Sequence, residues 1–493
     1  MVYVKKTITG LFVIAMGVQI LLGLVWIGCN LGSGCFAQET VIYEKAAQTL
    51  VMDEYVGVLY PLIIRLCQLI MGLFGVSYEI LLYVLQLIVA LFCGCAFLQL
   101  SGMLGHRGAG DAGCGAAVEG VAGECECVSG ECGVGRRIPG NGPATWFFGA
   151  YLATLPLCVQ WHLTVLPRSF VCSLYLLFLG ICINVCLCSR NRTWKQWYRM
   201  CGLWAAMTLL APDYWWLGLL PVVVAAGCML RGHGSKGIWK LALAAIIASV
   251  LSCTVNLAVQ VPGSEGRIQK TLGAALVSRF VWPNFDTNYF FWPDEVKEVM
   301  DTKKAREISL YAGNVQSKFG PLVEGAYGRE RANAYYWDMA LQCFGVRTKE
   351  VLQAVLEDFA AYLLTPWSVK DHLDGGGLSY SGWNYSNMKE NTPRLTRYYM
   401  DFGLVSFRIG ILAAFILLGL EGRKQRKMQK PHAKSRVLVG IFMVSCVLLH
   451  VIWYTMSGAG MMDYGNVLPV ILMWYLPIVS VGVRGIVPKG EPF

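Results

Sequence analysis

Long apolar runs recur along this chain, separated by short loops in which basic residues collect. A bilayer's hydrocarbon core is about 30 Å thick, so a helix rising about 1.5 Å per residue needs about 20 apolar residues to cross it. By that measure the pattern predicts spans near 8–29, 79–100, 145–162, 170–188, 200–211, 214–230, 241–260, 402–420, 437–456 and 466–484. The first follows Lys5 and Lys6 but is too long for a signal-peptide core, and further spans come after it, so it is expected to be retained. Residues 200–230 are interrupted by Pro212-Asp213 and read as a helical hairpin whose tip stops short of the outer surface.

Charge then orients the spans. Basic residues gather at Arg190, Arg192, Lys195 and Arg199, at Arg231, Lys236 and Lys240, and at Arg423, Lys424, Arg426, Lys427, Lys430, Lys434 and Arg436, with almost no acid beside them. Cytoplasmic loops carry such an excess. All three groups fall inside only if the apolar segment 56–75, which contains Pro61 and Arg65, does not cross. It is therefore expected to lie along the outer interface as an amphipathic helix. Both termini are then cytoplasmic, and residues 261–401 are outside. The net charge of +10 belongs to these loops and argues against a nucleic-acid partner.

The expectation is thus an all-α polytopic membrane protein of about ten transmembrane helices. Residues 1–260 hold the early spans, a first outer loop (30–78) and a cytoplasmic Gly/Cys-rich loop (101–143). Residues 261–401 form a mainly helical extracytoplasmic domain between the seventh and eighth spans, and 402–493 hold the last spans. Helical stretches are expected near 294–311, 329–344 and 348–364, the first opened by Pro293 before Asp294 and Glu295. Composition agrees: 56% of residues are hydrophobic, mean hydropathy is +0.50, and 15% are charged where a soluble domain carries about 25%. The 19 cysteines lie mostly in apolar spans or in the loop 102–142. That is not a secreted disulfide framework, although Cys29 and Cys35 could pair. Cys114, Cys125, Cys127 and Cys132 lack zinc-site spacing, and no metal ligand set is expected.

On this topology Glu39, Glu44, Asp53, Glu54, Arg65, Glu79, His162, Arg168, Asp213, Asp401 and Asp463 all map to outer span ends or outer loops. Ionisable groups at membrane depth are costly and usually functional; few stand near mid-bilayer, His450 being the main exception, and there helix packing is favoured over a proton relay. Chemistry at the outer interface, where a lipid headgroup sits, fits this distribution better than a charged path through the middle.

The loop Gln38-Glu39-Thr40-Val41-Ile42-Tyr43-Glu44-Lys45-Ala46-Ala47 leads to Leu59-Tyr60-Pro61-Leu62. Later come the break at Ala211-Pro212-Asp213 and Tyr464-x-x-x-Leu468-Pro469. In these features the chain resembles membrane glycosyltransferases of the GT-C class, in particular bacterial relatives of the protein mannosyltransferases and aminoarabinose transferases. The resemblance covers the membrane portion and not 261–401. It implies a sugar donor on polyprenyl phosphate and an extracytoplasmic glycan, lipid or protein acceptor, with membrane lipids around the chain. No cofactor is implied, although a divalent cation is compatible. Glu39 is the first choice for the general base, with Asp53 or Glu54 in reserve. Arg65, His162, Arg168, Asp213 and Tyr464 are the candidates for binding substrate and phosphate. The chain departs from the class in having Gln38 where a first-loop Asp is usual, and Asp463-Tyr464 where Arg-Tyr is usual.

Two other readings stay open: a lipid-linked saccharide flippase or transporter, and an inactive scaffold whose outer domain binds a polymer or a protein. Among the remaining motifs, Asn384-Tyr385-Ser386 is an outward glycosylation acceptor pattern, Asn191-Arg192-Thr193 falls inside, and Gly375-Gly376-Gly377 lacks the strand–helix context of a phosphate loop.

Overall fold

A computed structural model describes residues 2–32, 36–37, 40–52, 56–110, 143–187, 194–211, 288–308 and 319–353. It also describes isolated positions between 247 and 281 and between 356 and 409. Apart from three two-residue strand fragments, the elements described are helical. The chain divides into two compact units, one of Met1–Val259, Asn387–Ile441 and Trp474–Phe493, the other of Gln260–Ser386 and Phe442–Met473.

In the first unit α1 (Val2–Asn30) is followed by the short α2 (Thr40–Thr49), then by α3 (Leu59–Phe74) and α4 (Tyr78–Gly110). After them come α5 (Pro143–Ala153), α6 (Pro156–His162), α7 (Arg168–Leu187) and α8 (Trp194–Leu210). The central helix is α4, packed on α5, α7 and α3, while α7 also packs on α8 and α1 rests on α5 and α6. Gly94 and Gly149 permit the α4–α5 contact: a Cβ on Gly94 would lie 3.3 Å from the Gly149 Cα. Small residues let helix backbones approach in this way inside membranes. Gly75 ends α3 in the left-handed region, φ 68°, and its N–H bonds to the Met71 carbonyl at 2.8 Å.

The sidedness of α1 is the reverse of a soluble helix. Leu11, Ile14, Val18, Leu21 and Val25 recur at three- and four-residue steps on its exposed side, whereas Gln19 and Asn30 are fully buried. In α4 likewise, Val84, Ile88 and Phe92 are exposed and Gln86 is buried. Water would favour the opposite arrangement; a lipid surround favours this one, since lipid is as apolar as leucine and polar groups must find partners inside. Within these helices Val13–Asn30 and Tyr78–Phe97 are long and apolar enough to cross a membrane, while Leu59–Phe74 and Arg168–Cys182 are shorter apolar stretches. The predicted helix over 145–162 is two helices, α5 and α6, because Pro156 lacks the N–H that would continue the first. Of the other predicted spans, 200–211 falls on α8, while 214–230, 402–420, 437–456 and 466–484 lie outside the described residues or touch only isolated ones, as does 241–260.

The second unit holds an apolar core built on short helices. A 3-10 turn at Tyr289–Phe291 leads into α9 (Asp294–Val299), α10 (Thr302–Ile308), α11 (Gly320–Tyr327) and α12 (Arg329–Val346). The helix predicted over 294–311 is broken at Met300-Asp301, where the Asp301 carboxylate accepts from the Lys304 N–H at 2.8 Å and caps α10. On α12, Ala332, Tyr336, Met339, Ala340 and Cys343 are buried at helical spacing and pack with Trp292, Val296 and Phe319. Two strand fragments, β1 (Ser379–Tyr380) and β2 (Trp383–Asn384), form a short antiparallel pair.

Candidate functional site

The turn between α6 and α7 gathers more buried polar groups than its apolar sequence, Leu163-Thr164-Val165-Leu166-Pro167, suggests. Helix α6 ends at His162, and α7 opens at Arg168 immediately after Pro167. A turn buried among apolar side chains releases carbonyls that need partners within the protein. Side chains from two other helices take them up. Gln86 of α4 donates through Nε2 to the His162 carbonyl at 3.3 Å and to the Thr164 carbonyl at 3.1 Å. Thr40, the first residue of α2, donates through Oγ1 to the Val165 carbonyl at 3.5 Å.

Across this turn the His162 Nδ1 and Ser169 Oγ are 2.7 Å apart, which joins the end of α6 to the start of α7. Ser173 donates to the Ser169 carbonyl at 2.8 Å. Arg168, between these groups in sequence, is 1% exposed. A guanidinium stays charged under all accessible conditions. At the first residue of a helix it also meets the positive end of the backbone dipole. A carboxylate or phosphate is what its planar fork of donors fits.

Around this turn α2 is fixed by a second contact. The Tyr43 ring packs edge-on against Tyr60 of α3, and Tyr60 against Phe170 of α7. One turn after Thr40, Glu44 accepts a hydrogen bond from the hydroxyl of Tyr78, the first residue of α4, and Glu79 follows with Ser77 bonded to its carboxylate. Acids at the opening of α4 suit its dipole.

His162 and Arg168 are the two predicted site residues that flank this turn, both buried, with His162 meeting Ser169, the covalent neighbour of Arg168. Arg65 is exposed on the face of α3 that also carries Leu62, Leu66 and Leu69. Glu39, Asp53, Glu54, Asp213 and Tyr464 lie outside the described residues, although Thr40, the covalent neighbour of Glu39, bonds to the turn. Sequence reasoning missed Gln86, Ser169 and the Glu44–Tyr78 contact. The signal for Gln86 was present, since a carboxamide inside an otherwise apolar run needs partners. Among the described residues no three His, Cys, Asp or Glu side chains come together as a metal site.

A second polar knot sits at the break between α5 and α6. The Thr154 carbonyl, released by Pro156, accepts from the Tyr399 hydroxyl at 2.5 Å and from Gln19 Nε2 at 3.3 Å. Tyr399 also stacks on Trp26 of α1, ring centroids 5.5 Å apart.

No known protein family, curated protein or solved structure matches this chain.

Proposed function

We propose that this chain is a polytopic membrane glycosyltransferase of GT-C type that moves a sugar from a polyprenyl-phosphate donor to an extracytoplasmic acceptor. The observation that supports the reading is the buried Arg168 at the opening of α7, on a turn whose Ser169 meets His162 and whose Val165 carbonyl accepts from Thr40, the first residue of α2. In this reading about ten spans cross the cell membrane, both termini are cytoplasmic, and the α6–α7 turn lies at the outer face. The donor phosphate approaches the Arg168 end of α7, where backbone N–H groups and guanidinium favour an anion.

Glu39 takes the proton of the acceptor hydroxyl, whose oxygen attacks the anomeric carbon. The bond from that carbon to the phosphate oxygen breaks, its electron pair leaves with the phosphate, and Arg168 stabilises the charge that develops there. Asp53 or Glu54 is the alternative base. Attack on the face opposite the phosphate inverts the anomeric centre, and a two-step route would retain it.

The rival reading is a lipid-linked saccharide transporter. It is favoured by the discontinuous helix α5–α6 with its polar knot, because broken helices line substrate sites in transporters. One reconstitution separates the two. Purified chain in proteoliposomes is given a polyprenyl-phosphate sugar with label in the sugar. Transfer of label to an acceptor, lost in Arg168→Lys and Glu39→Gln, supports the enzyme. Movement of intact donor between leaflets without cleavage would sink it and favour the transporter.

A further inference from the structure

The turn before α9 is held from within and presents apolar rings outward. Trp292 is 3% exposed and donates through Nε1 to Asn288 Oδ1 at 3.0 Å, while Asn288 Nδ2 donates to the Val281 carbonyl at 2.9 Å. Tyr289 donates to the Met300 carbonyl at 2.9 Å and packs on Trp292, ring centroids 5.0 Å apart. Asn288, Tyr289 and Trp292 therefore root the 3-10 turn in the core, and the residues between them project. Phe290 is 81% exposed and its ring meets that of Phe291 edge-on. Lys297 Nζ, which also pairs with Asp294 at 2.9 Å, lies 5.9 Å from the centre of the Phe290 ring. The core of the unit closes without either phenyl ring, so they are not displaced core residues.

We propose that Phe290 and Phe291 are a membrane anchor of the second unit, inserted below the headgroups of the bilayer, with Lys297 level with the lipid phosphates. The proposal rests on the membrane reading of the chain given above. Phenylalanine has no polar handle, so the pair suits hydrocarbon better than a glycan, whose hydroxyls want Tyr or Trp beside polar partners. A cation beside an aromatic tip is the composition of the bilayer interface, where the ring enters and the ammonium stays with the phosphates. The bilayer is also the apolar phase already at hand. The unit begins at Gln260, at the end of the apolar segment 241–260, and α1 and α3 of the same chain also carry rows of exposed leucines.

The test places the photoreactive residue p-benzoylphenylalanine at position 290 of the full chain, or at exposed Arg331 on α12 as control, in vesicles of phosphatidylcholine and phosphatidylglycerol. Irradiation is expected to give phospholipid adducts at 290 several-fold above those at 331. No lipid adduct at 290, equal adducts at both positions, or adducts at 290 only to protein or glycan would each overturn the anchor. The wild-type chain supplies a second measurement that no variant can confound. Hydrogen exchange over 288–293 is expected to be slower in nanodiscs of the same lipids than in amphipol, and equal rates would overturn the proposal. Release of the wild-type chain from vesicles by alkaline carbonate would instead refute the membrane reading beneath it.

Discussion

The Tyr399 hydroxyl donates a 2.5 Å hydrogen bond to the Thr154 carbonyl, joining residues 245 apart in the chain at the break between α5 and α6. The carbonyl is available because Pro156 interrupts the helix two residues later, and Gln19 of α1 shares it at 3.3 Å. The break is therefore fastened from two sides, by α1 and by a residue far along the chain.

Tyr399→Phe should loosen this fastening while keeping the ring stack on Trp26. Side-chain hydrogen bonds within membrane proteins contribute about 0.6 kcal/mol on average and at most about 1.7. Sharing with Gln19 softens the loss, so a fall in stability of about 0.5 kcal/mol is expected. Tyr399→Ala removes the stack with Trp26 as well and should cost more. Thermal unfolding of the detergent-solubilised chain, followed by size exclusion after heating, measures both. Equal melting of wild type and Tyr399→Phe would show that the bond contributes nothing.

Gly149 supplies a sharper test of packing. A Cβ there would meet Cys95 Sγ at 2.5 Å, Cys95 N at 3.2 Å and Leu91 O at 3.3 Å. The sulfur can rotate, but the two backbone atoms belong to α4 and cannot move alone. Gly149→Ala should therefore destabilise by about 1–3 kcal/mol, the usual range for overpacking. Gly17 on α1 has nothing within 4 Å of its own Cβ position. Gly17→Ala should be neutral or stabilising by up to about 1 kcal/mol, because alanine favours helix. If the two variants melt alike, the close α4–α5 approach is wrong.

Much of this architecture was legible in residue pattern, and the reasons it was legible are specific. The apolar runs at 8–29 and 79–100 correspond to α1 and α4 because length and lack of charge are local properties. The start of α9 was visible in Pro293-Asp294-Glu295 for the same reason. The interruption of 145–162 had its mark, Pro156, but a single proline inside an apolar run does not say whether a helix bends or ends. Partners across the fold are not local. Nothing around Gln86 says that its amide reaches the carbonyls of residues 162 and 164, and nothing around Tyr399 points to Thr154. For the site, the nearness of His162 and Arg168 in the chain follows from one short turn, whereas Arg65 was grouped with them only by an expected depth.

Glu324 predicts a pH dependence in the second unit. Burial holds its carboxyl above the ordinary glutamate range, and Arg329, 3.8 Å away, offsets this in part. A group whose pKa is raised on folding contributes stability that is complete below its unfolded value, about 4.3, and is lost as pH rises through the folded value. Stability of this unit should therefore decline as pH climbs from about 4.3 into the region just above it. Glu324→Gln stays uncharged throughout, so its melting temperature relative to wild type should rise across the same window. A difference that is flat with pH, or that falls, would contradict the assignment.

Asn288 is the residue on which the turn before α9 depends. Its side chain accepts from Trp292 Nε1 at 3.0 Å and donates to the Val281 carbonyl at 2.9 Å, and it is 3% exposed. Asn288→Ala leaves a buried indole N–H and a carbonyl without these partners, and each unsatisfied group costs about 1–3 kcal/mol. Asn288→Asp keeps the acceptor for Trp292 but places a carboxylate against the Val281 carbonyl, so it should be no better than alanine at neutral pH. Because Trp292 and Tyr289 are seated in the same core, the damage should spread to α9. Hydrogen exchange over 288–299 in the full chain is expected to accelerate in Asn288→Ala, while exchange in α4 of the first unit stays unchanged. Unaltered exchange at 288–299 would mean that ring packing against Phe319 holds the turn without the amide.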